Sequence, residues 1–223
     1  VGIAPFAVPG QRLATVTIVL GVRQPIPAGA AKERLTETTE LQISAFTPEG
    51  DARGTQRHTA KVTLRPGVDG VASYEVLGKI DLSPGRYRLR LAAHNTTSKK
   101  DGSVFADVIV PDYSNVPISA SPVVLSAAPA RASAPQDLLS SVLPLVPTAA
   151  RQFGNTAKVT ALFRLYQSGN KPIERAQVEI RIRDEGNGTN ATDAQAIGDD
   201  QFRSAGQDIV AQTTGPAPPT RQS

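Results

Sequence analysis

The sequence contains no cysteine, no methionine and no tryptophan. Without cysteine there is no disulfide staple, no thiol nucleophile and no cysteine-ligated zinc or iron–sulfur centre. Aromatic residues are scarce too, with 4 Tyr and 6 Phe among 223 residues, so a core has to be assembled from Val, Leu, Ile and Ala. Only two histidines occur, His58 and His94. Neither stands in a His-x-x-x-His or His-Glu spacing that would set two metal-ligating groups on one face. The longest apolar candidate, residues 16–22, falls well short of the roughly 18 residues that span a bilayer, and membrane insertion is not expected. Phosphate-binding loops, dinucleotide turns and nucleophile elbows are missing as well, and no cofactor or metal is expected. What is present is a basic chain, 24 Lys+Arg against 20 Asp+Glu for a net charge of +4. Its cations alternate with apolar residues instead of forming blocks, which argues against a nucleic-acid partner. The opening Val1-Gly2-Ile3, without an initiating methionine, points to a processed protein or an internal piece of a longer one.

In the first half, apolar and polar residues alternate over short windows bounded by Gly, Pro, Asn and Asp, the period of half-buried strands. Residues 15–20, 40–46, 59–64, 73–80, 87–93, 104–110 and 118–125 read as strands. Turn chemistry falls between them, at 47–51 (Thr-Pro-Glu-Gly-Asp), 65–70 and 100–102. Leu82-Ser83-Pro84-Gly85-Arg86-Tyr87 places a tyrosine at a strand start directly after a tight turn. That is the pattern of a tyrosine corner built on Tyr87, whose hydroxyl bonds back to the preceding backbone.

Beyond Asp112 prolines interrupt an Ala- and Ser-rich stretch, and residues 127–141 read as a flexible excursion. A second β unit follows at 156–166, with a hairpin loop at 167–172 and a partner strand at 177–183. Residues 184–206 carry little apolar material. Within 207–223 there is an extra strand candidate and then a tail that reads as disordered. The expected architecture is all-β, with two tandem immunoglobulin-like or fibronectin-III-like β-sandwich domains at 1–112 and 113–206. The second is short of strands and so incomplete as given.

Arg86, Arg88 and Arg90 alternate with Tyr87, Leu89 and Leu91, and Arg181 and Arg183 with Ile180 and Ile182. Such rows stand on solvent faces, where they blunt edge pairing or meet an acidic polysaccharide or carboxylate-rich partner. Two carboxylate groups, Asp193, Asp199, Asp200 and Asp208 or Asp101, Asp107 and Asp112, offer oxygens of the kind Ca²⁺ takes, but neither fits a twelve-residue loop with a closing Glu. Asp101-Gly102-Ser103-Val104-Phe105 begins like the Asp-x-Ser-x-Ser metal motif of von Willebrand A domains but has Phe105 where the second Ser is needed. Asn95, Asn187 and Asn190 each open an Asn-x-Thr triplet that can accept a glycan in a eukaryotic secretory route.

Ala4-Pro5-Phe6-Ala7-Val8-Pro9-Gly10 followed by Val19-Leu20-Gly21-Val22-Arg23-Gln24-Pro25 resembles the region after the A domain in bacterial VWFA-related proteins. The stretch from Gly102 to Tyr113, then Val123-Val124-Leu125-Ser126, Leu143 to Thr148 and Leu165-Tyr166-Gln167, come in the same order as in that family. The resemblance covers residues 1 to about 185. It implies an exported bacterial protein, extracellular or in the cell envelope, with an adhesive or scaffold role, and it carries over no catalytic residue.

The expected function is non-enzymatic: a structural or interaction protein working through sandwich edges and loops, with a protein partner or neighbouring copies of itself. Strand complementation into assemblies is one form of it. Ile118, Val123, Val124, Leu125, Ile209 and Val210 are the strand-pairing candidates. The alternatives are a carbohydrate-binding module stacking sugars on Tyr74, Tyr87, Tyr113 or Tyr166, or an accessory module of a larger secreted protein such as a hydrolase. Few aromatics argue against sugar stacking.

Overall fold

Alternation decides the central strands. In β6 (Gly85–Asn95), Tyr87, Leu89 and Leu91 are buried while Arg86, Arg88 and Arg90 face solvent. In β3 (Leu35–Phe46), Leu41, Ile43 and Ala45 are fully buried on the same side. These strands pair antiparallel, and β4 (Ala52–Leu64) and β7 (Lys100–Val110) flank them in a sheet of order β4-β3-β6-β7. The structure, a computed structural model, describes residues 1–25, 35–64, 70–154 and 156–167, together with the backbone of strands at 176–183, 190–197 and 208–216.

A second sheet has the order β1-β2-β5-β10, formed by β1 (Gly2–Ala7), β2 (Ala14–Pro25), β5 (Val71–Leu82) and the short β10 (Ser133–Ala134), which runs parallel to β5. It packs face to face on the first sheet as a β-sandwich. Val16, Ile18 and Leu20 of β2 and Tyr74, Val76 and Ile80 of β5 meet Leu41, Ile43, Leu89 and Leu91 in one core. Gly78 permits the closest approach: a Cβ there would lie 2.7 Å from Ile43 Cδ1 and 2.9 Å from Leu41 Cδ2. Six of the strands expected from alternation, at 15–20, 40–46, 59–64, 73–80, 87–93 and 104–110, fall inside β2 to β7. Strand β1 was not expected because Pro5 interrupts its pattern, which an edge strand tolerates.

The β1-β2-β5-β10 sheet is buried on its outer face too. Ala4, Phe6, Val19 and Leu77 form a second core there with Leu139, Leu143 and Leu162. This explains why seven consecutive residues of β2 are buried, a run that alternation alone does not produce. The covering layer comes from the stretch read as a flexible excursion at 127–141 and from β11 (Lys158–Gln167). Residues 136–142 turn tightly, with Leu143 N donating to Leu139 O at 2.7 Å, and put Leu139 and Leu143 onto the sheet. Proline breaks regular pairing there, but the leucines between the prolines bind the segment down. Glu75 fixes the far end, its buried carboxylate accepting from Thr148 Oγ1 at 2.8 Å and from Ala149 N at 2.9 Å.

Core contacts cross the expected boundary at 112/113, since Tyr113, Ala134 and Tyr166 belong to the core shared by the two sheets. Strand β11 is flanked on one side by β8 (Ile118–Ala120) and β9 (Val124–Ala128) and on the other by β14 (Asp208–Pro216). The partner expected for it at 177–183 therefore lies elsewhere. Strand β12 (Ala176–Arg183) pairs with β13 (Asn190–Ile197), a strand with no alternating pattern to reveal it. The loop expected at 167–172 falls mostly outside the described residues, as do most of 184–206 and the end of the tail.

Candidate functional site

All four tyrosines are buried. Tyr87 Oη donates to Ser83 O at 2.9 Å across the turn between β5 and β6. Tyr113 Oη donates to Pro5 O at 2.9 Å, Tyr166 Oη accepts from Ala7 N at 3.2 Å, and the two rings stand 4.8 Å apart at 56°. Burial pushes the Tyr113 phenol up from its ordinary pKa. Tyr74 Oη bonds to Thr39 Oγ1 at 2.8 Å. None of these rings is presented for stacking on a sugar; they serve the core, with each hydroxyl satisfied.

Asn95 is buried as well. Its Nδ2 donates to Glu37 Oε2 at 2.6 Å, while its Oδ1 accepts from Thr97 N and Ser98 N. Its amide nitrogen is committed to a buried carboxylate, so this Asn-x-Thr triplet offers no free acceptor for a glycan. Asn187 lies outside the described residues, and Asn190 begins β13.

Asp101, Asp107 and Asp112 are each held by a neighbour. Asp101 meets His94 Nδ1 at 2.6 Å and Asp107 meets Arg88 Nε at 3.0 Å. Asp112 takes Ser114 Oγ at 2.6 Å and Arg12 Nη2 at 2.7 Å, which hold its carboxyl below the usual range. Among the described residues no three His, Asp or Glu side chains come together. Asp193 and Asp208 stand on the backbone of β13 and β14, and Asp199 and Asp200 lie outside the described residues. His58 ties the two sheets together at one edge, its Nε2 lying 2.8 Å from Lys79 O and 3.1 Å from Lys79 N.

Five of the six strand-pairing candidates are paired within the chain; Val123 precedes β9 and has no place in its ladder. Val124 stands opposite Leu162 and Leu125 opposite Ala161, while Ile209 and Val210 stand opposite Leu165 and Arg164 on the other side of β11. Ile118 pairs with Gln167. The single strand expected at 118–125 is two, separated around Pro122. Ile118 and Val123 remain the exposed apolar residues of this region, at 50% and 60%.

Two further edges open onto a cleft. Strand β1 pairs with β2 no further than Val19, so residues 20–25 of β2 have a partner only on the β5 side among the described residues. Among the described residues strand β7 ends its sheet and pairs only with β6. Residues 20–25 and 100–104 line the two sides of a cleft of about 370 Å³, with Tyr74, Leu91 and Ala93 below. The β7 edge also exposes Val104 at 40%, Phe105 at 63% and Ile109 at 63%. The opposite edge, β4, carries Arg53, Arg57 and Lys61 and exposes no large apolar residue. Cations of that kind discourage edge pairing, and β7 lacks them over its apolar half. Sequence alternation placed Phe105 and Ile109 on a strand; that this strand is an edge depends on sheet order, which no local pattern carries. Compared with known proteins, the chain matches no family model, no curated protein and no solved structure.

Proposed function

We propose that the chain is a non-enzymatic interaction module of an exported bacterial protein, acting through the open edges of its sandwich on a protein partner or a neighbouring copy. The observation that supports this reading is the pair of backbone edges, 20–25 of β2 and 100–104 of β7, that have no strand on their outer side among the described residues and stand on either side of one cleft beside exposed Val104 and Phe105. Unpaired strand edges offer a row of N–H and C=O groups that a further strand completes, while side-chain pockets select it. The resemblance to the region after the A domain of VWFA-related proteins agrees with an adhesive or scaffold role in the extracellular space or cell envelope.

Light scattering after size exclusion, over a hundredfold range of concentration and with or without the secreted proteins of the source organism, tests the reading on the full chain and on Val104→Lys. Mass that grows in the wild type, by self-association or by a retained partner, and does not grow in the variant is the expected outcome. A wild type that stays monomeric and retains nothing the variant does not also retain overturns it.

A further inference from the structure

The two outermost strands of the β4-β3-β6-β7 sheet end it differently. Strand β4 carries Arg53, Arg57 and Lys61 and meets β3 through a register shift between Ala45 and Phe46. Both features discourage a further strand. Strand β7 has no proline, pairs with β6 in unbroken register over its 11 residues, and carries its one cation, Lys100, at its very start. Among the described residues no strand lies on its outer side. Residues 100–105 are all exposed, whichever way their side chains point, so the first half of β7 stands clear on both faces.

The residue order of β7 selects what completes this edge. An edge strand can pair antiparallel with its own copy about a two-fold axis, and alternation keeps the two sheet faces continuous only when that axis passes through a residue. An axis at Phe105 pairs all 11 residues, 100 with 110 and 101 with 109. Phe105 then stands opposite its own mate, Ser103 opposite Asp107 and Asp101 opposite Ile109, so no two like charges meet. An axis at Val104 would set Asp101 against Asp107 twice. An axis at Ala106 would set Phe105 against Asp107 twice and leave Lys100 and Asp101 unpaired. The arginine row of β6 does not oppose the pairing: Arg88 is spent on Asp107 at 3.0 Å, and Arg90, beside Phe105, stands about 14 Å from its mate across the two β7 strands. The strand is thus its own complement in backbone, apolar contact and charge. A single strand pair belongs to the smallest class of specific contact, below about 1,200 Å², so monomer and dimer should exchange with concentration.

Building on the interaction reading above, we infer that the partner of the β7 edge is the β7 edge of a second copy, the two four-stranded sheets joining antiparallel about a two-fold axis at Phe105.

The chain has no cysteine, so a single introduced one reports on its own symmetry mate. Phe105→Cys and Ile109→Cys change two positions of equal 63% exposure on one face. Residue 105 faces itself across the axis with Cβ atoms about 5 Å apart, whereas the two copies of residue 109 stand about 27 Å apart. Mild oxidation of the full chain should link Phe105→Cys into dimers at least tenfold faster than Ile109→Cys. Light scattering of the wild type should show mass rising with concentration and levelling at twice the 23.4 kDa chain. Phe105→Lys, which sets two ammonium groups across the axis, should weaken the dimer at least tenfold, while Ile109→Lys, facing Asp101 of the second copy, should keep or tighten it. Equal cross-linking at both positions, equal loss in both lysine variants, or mass that climbs past the dimer overturns the inference. A wild type that stays monomeric at millimolar concentration overturns it too. If that monomer still retains a partner that Val104→Lys loses, the interaction reading stands and only the second copy fails; if it retains none, both fail.

Discussion

The two sheets of the sandwich share one core, yet they are built to different standards of burial. The β4-β3-β6-β7 sheet hides one face and shows the other to water, so β6 reads as strict alternation of arginine with Tyr87, Leu89 and Leu91. The β1-β2-β5-β10 sheet hides both faces, the second under Leu139, Leu143 and Leu162, and β2 and β5 read as nearly unbroken buried runs. The difference shows that the segment after β7 is part of what makes the β1-β2-β5-β10 sheet stable. A strand with an apolar outer face has to have that face covered, and here residues 138–149 and β11 cover it. It also shows where the molecule has surface to spare, at the solvated face of the β7 sheet and at the edge that β7 forms among the described residues.

The sharpest way to break the comparison is to remove one buried ring or leucine from each core. Phe6→Ala empties the outer core and Leu89→Ala the shared one, both at positions with 0% exposure. Losses of about 3–5 kcal/mol for Phe6 and about 2–5 for Leu89 are expected in urea unfolding. If the outer layer is as integral as Leu139 implies, Phe6→Ala lowers the midpoint of a single cooperative transition. A Phe6→Ala protein with wild-type stability, or one that loses the cover in a separate step, would show the second core to be peripheral.

Gly78 tests the spacing between the sheets. Its added methyl would collide with Ile43 and Leu41 of the facing sheet, and overpacking of that kind costs about 1–3 kcal/mol. Gly78→Ala should therefore destabilise in proportion to how little the sheets can separate. An unchanged midpoint would mean that the two sheets slide apart at no cost and that the shared core is looser than its burial indicates. Smaller still is Tyr87→Phe, which deletes the bond to Ser83 O and leaves the ring in place. A loss of about 1 kcal/mol is expected from one neutral hydrogen bond, read from the same unfolding curves; no loss would make the hydroxyl ornamental and the corner a matter of ring packing alone.

The same comparison explains how much could be read from residues alone. The half-exposed sheet was legible because alternation reports a two-sided environment, and Tyr87 was legible because a Pro-Gly turn immediately precedes it. The outer layer was not legible: Leu138, Leu139, Val142 and Leu143 sit among prolines, alanines and serines whose local signal is that of a loop, and it is the facing Ala4, Phe6, Val19 and Leu77 that give these side chains something to bury against. Strand β13 escaped notice for the related reason that Asn190–Ile197 has little apolar patterning and is held by its ladder with β12. Of the candidate site, residues 104–110 were expected as a strand, but the openness of the cleft follows from where β1 stops pairing and from β7 ending its sheet.

The smallest effect expected is electrostatic and joins the two sheets at the surface. Arg12, in the turn between β1 and β2, reaches Asp112 just after β7 through Nε at 2.9 Å and Nη2 at 2.7 Å. The hydrogen bond from Ser114 is the larger cause of the lowered Asp112 pKa, and Arg12 adds to it. A carboxyl whose folded pKa lies below its unfolded value stabilises the protein fully above the unfolded value, about 3.9, and the contribution disappears as pH falls through the folded one. The wild type should accordingly lose its margin over Asp112→Asn only below about pH 4, while above about pH 5 the difference between them stays constant. Because Arg12 is 70% exposed, salt should shrink the Arg12 part and spare the Ser114 part. Urea midpoints of the two proteins at pH 7, 5, 4 and 3, each at low and high salt, measure both; a margin that widens on acidification would show that Asp112 is not held ionised by these partners.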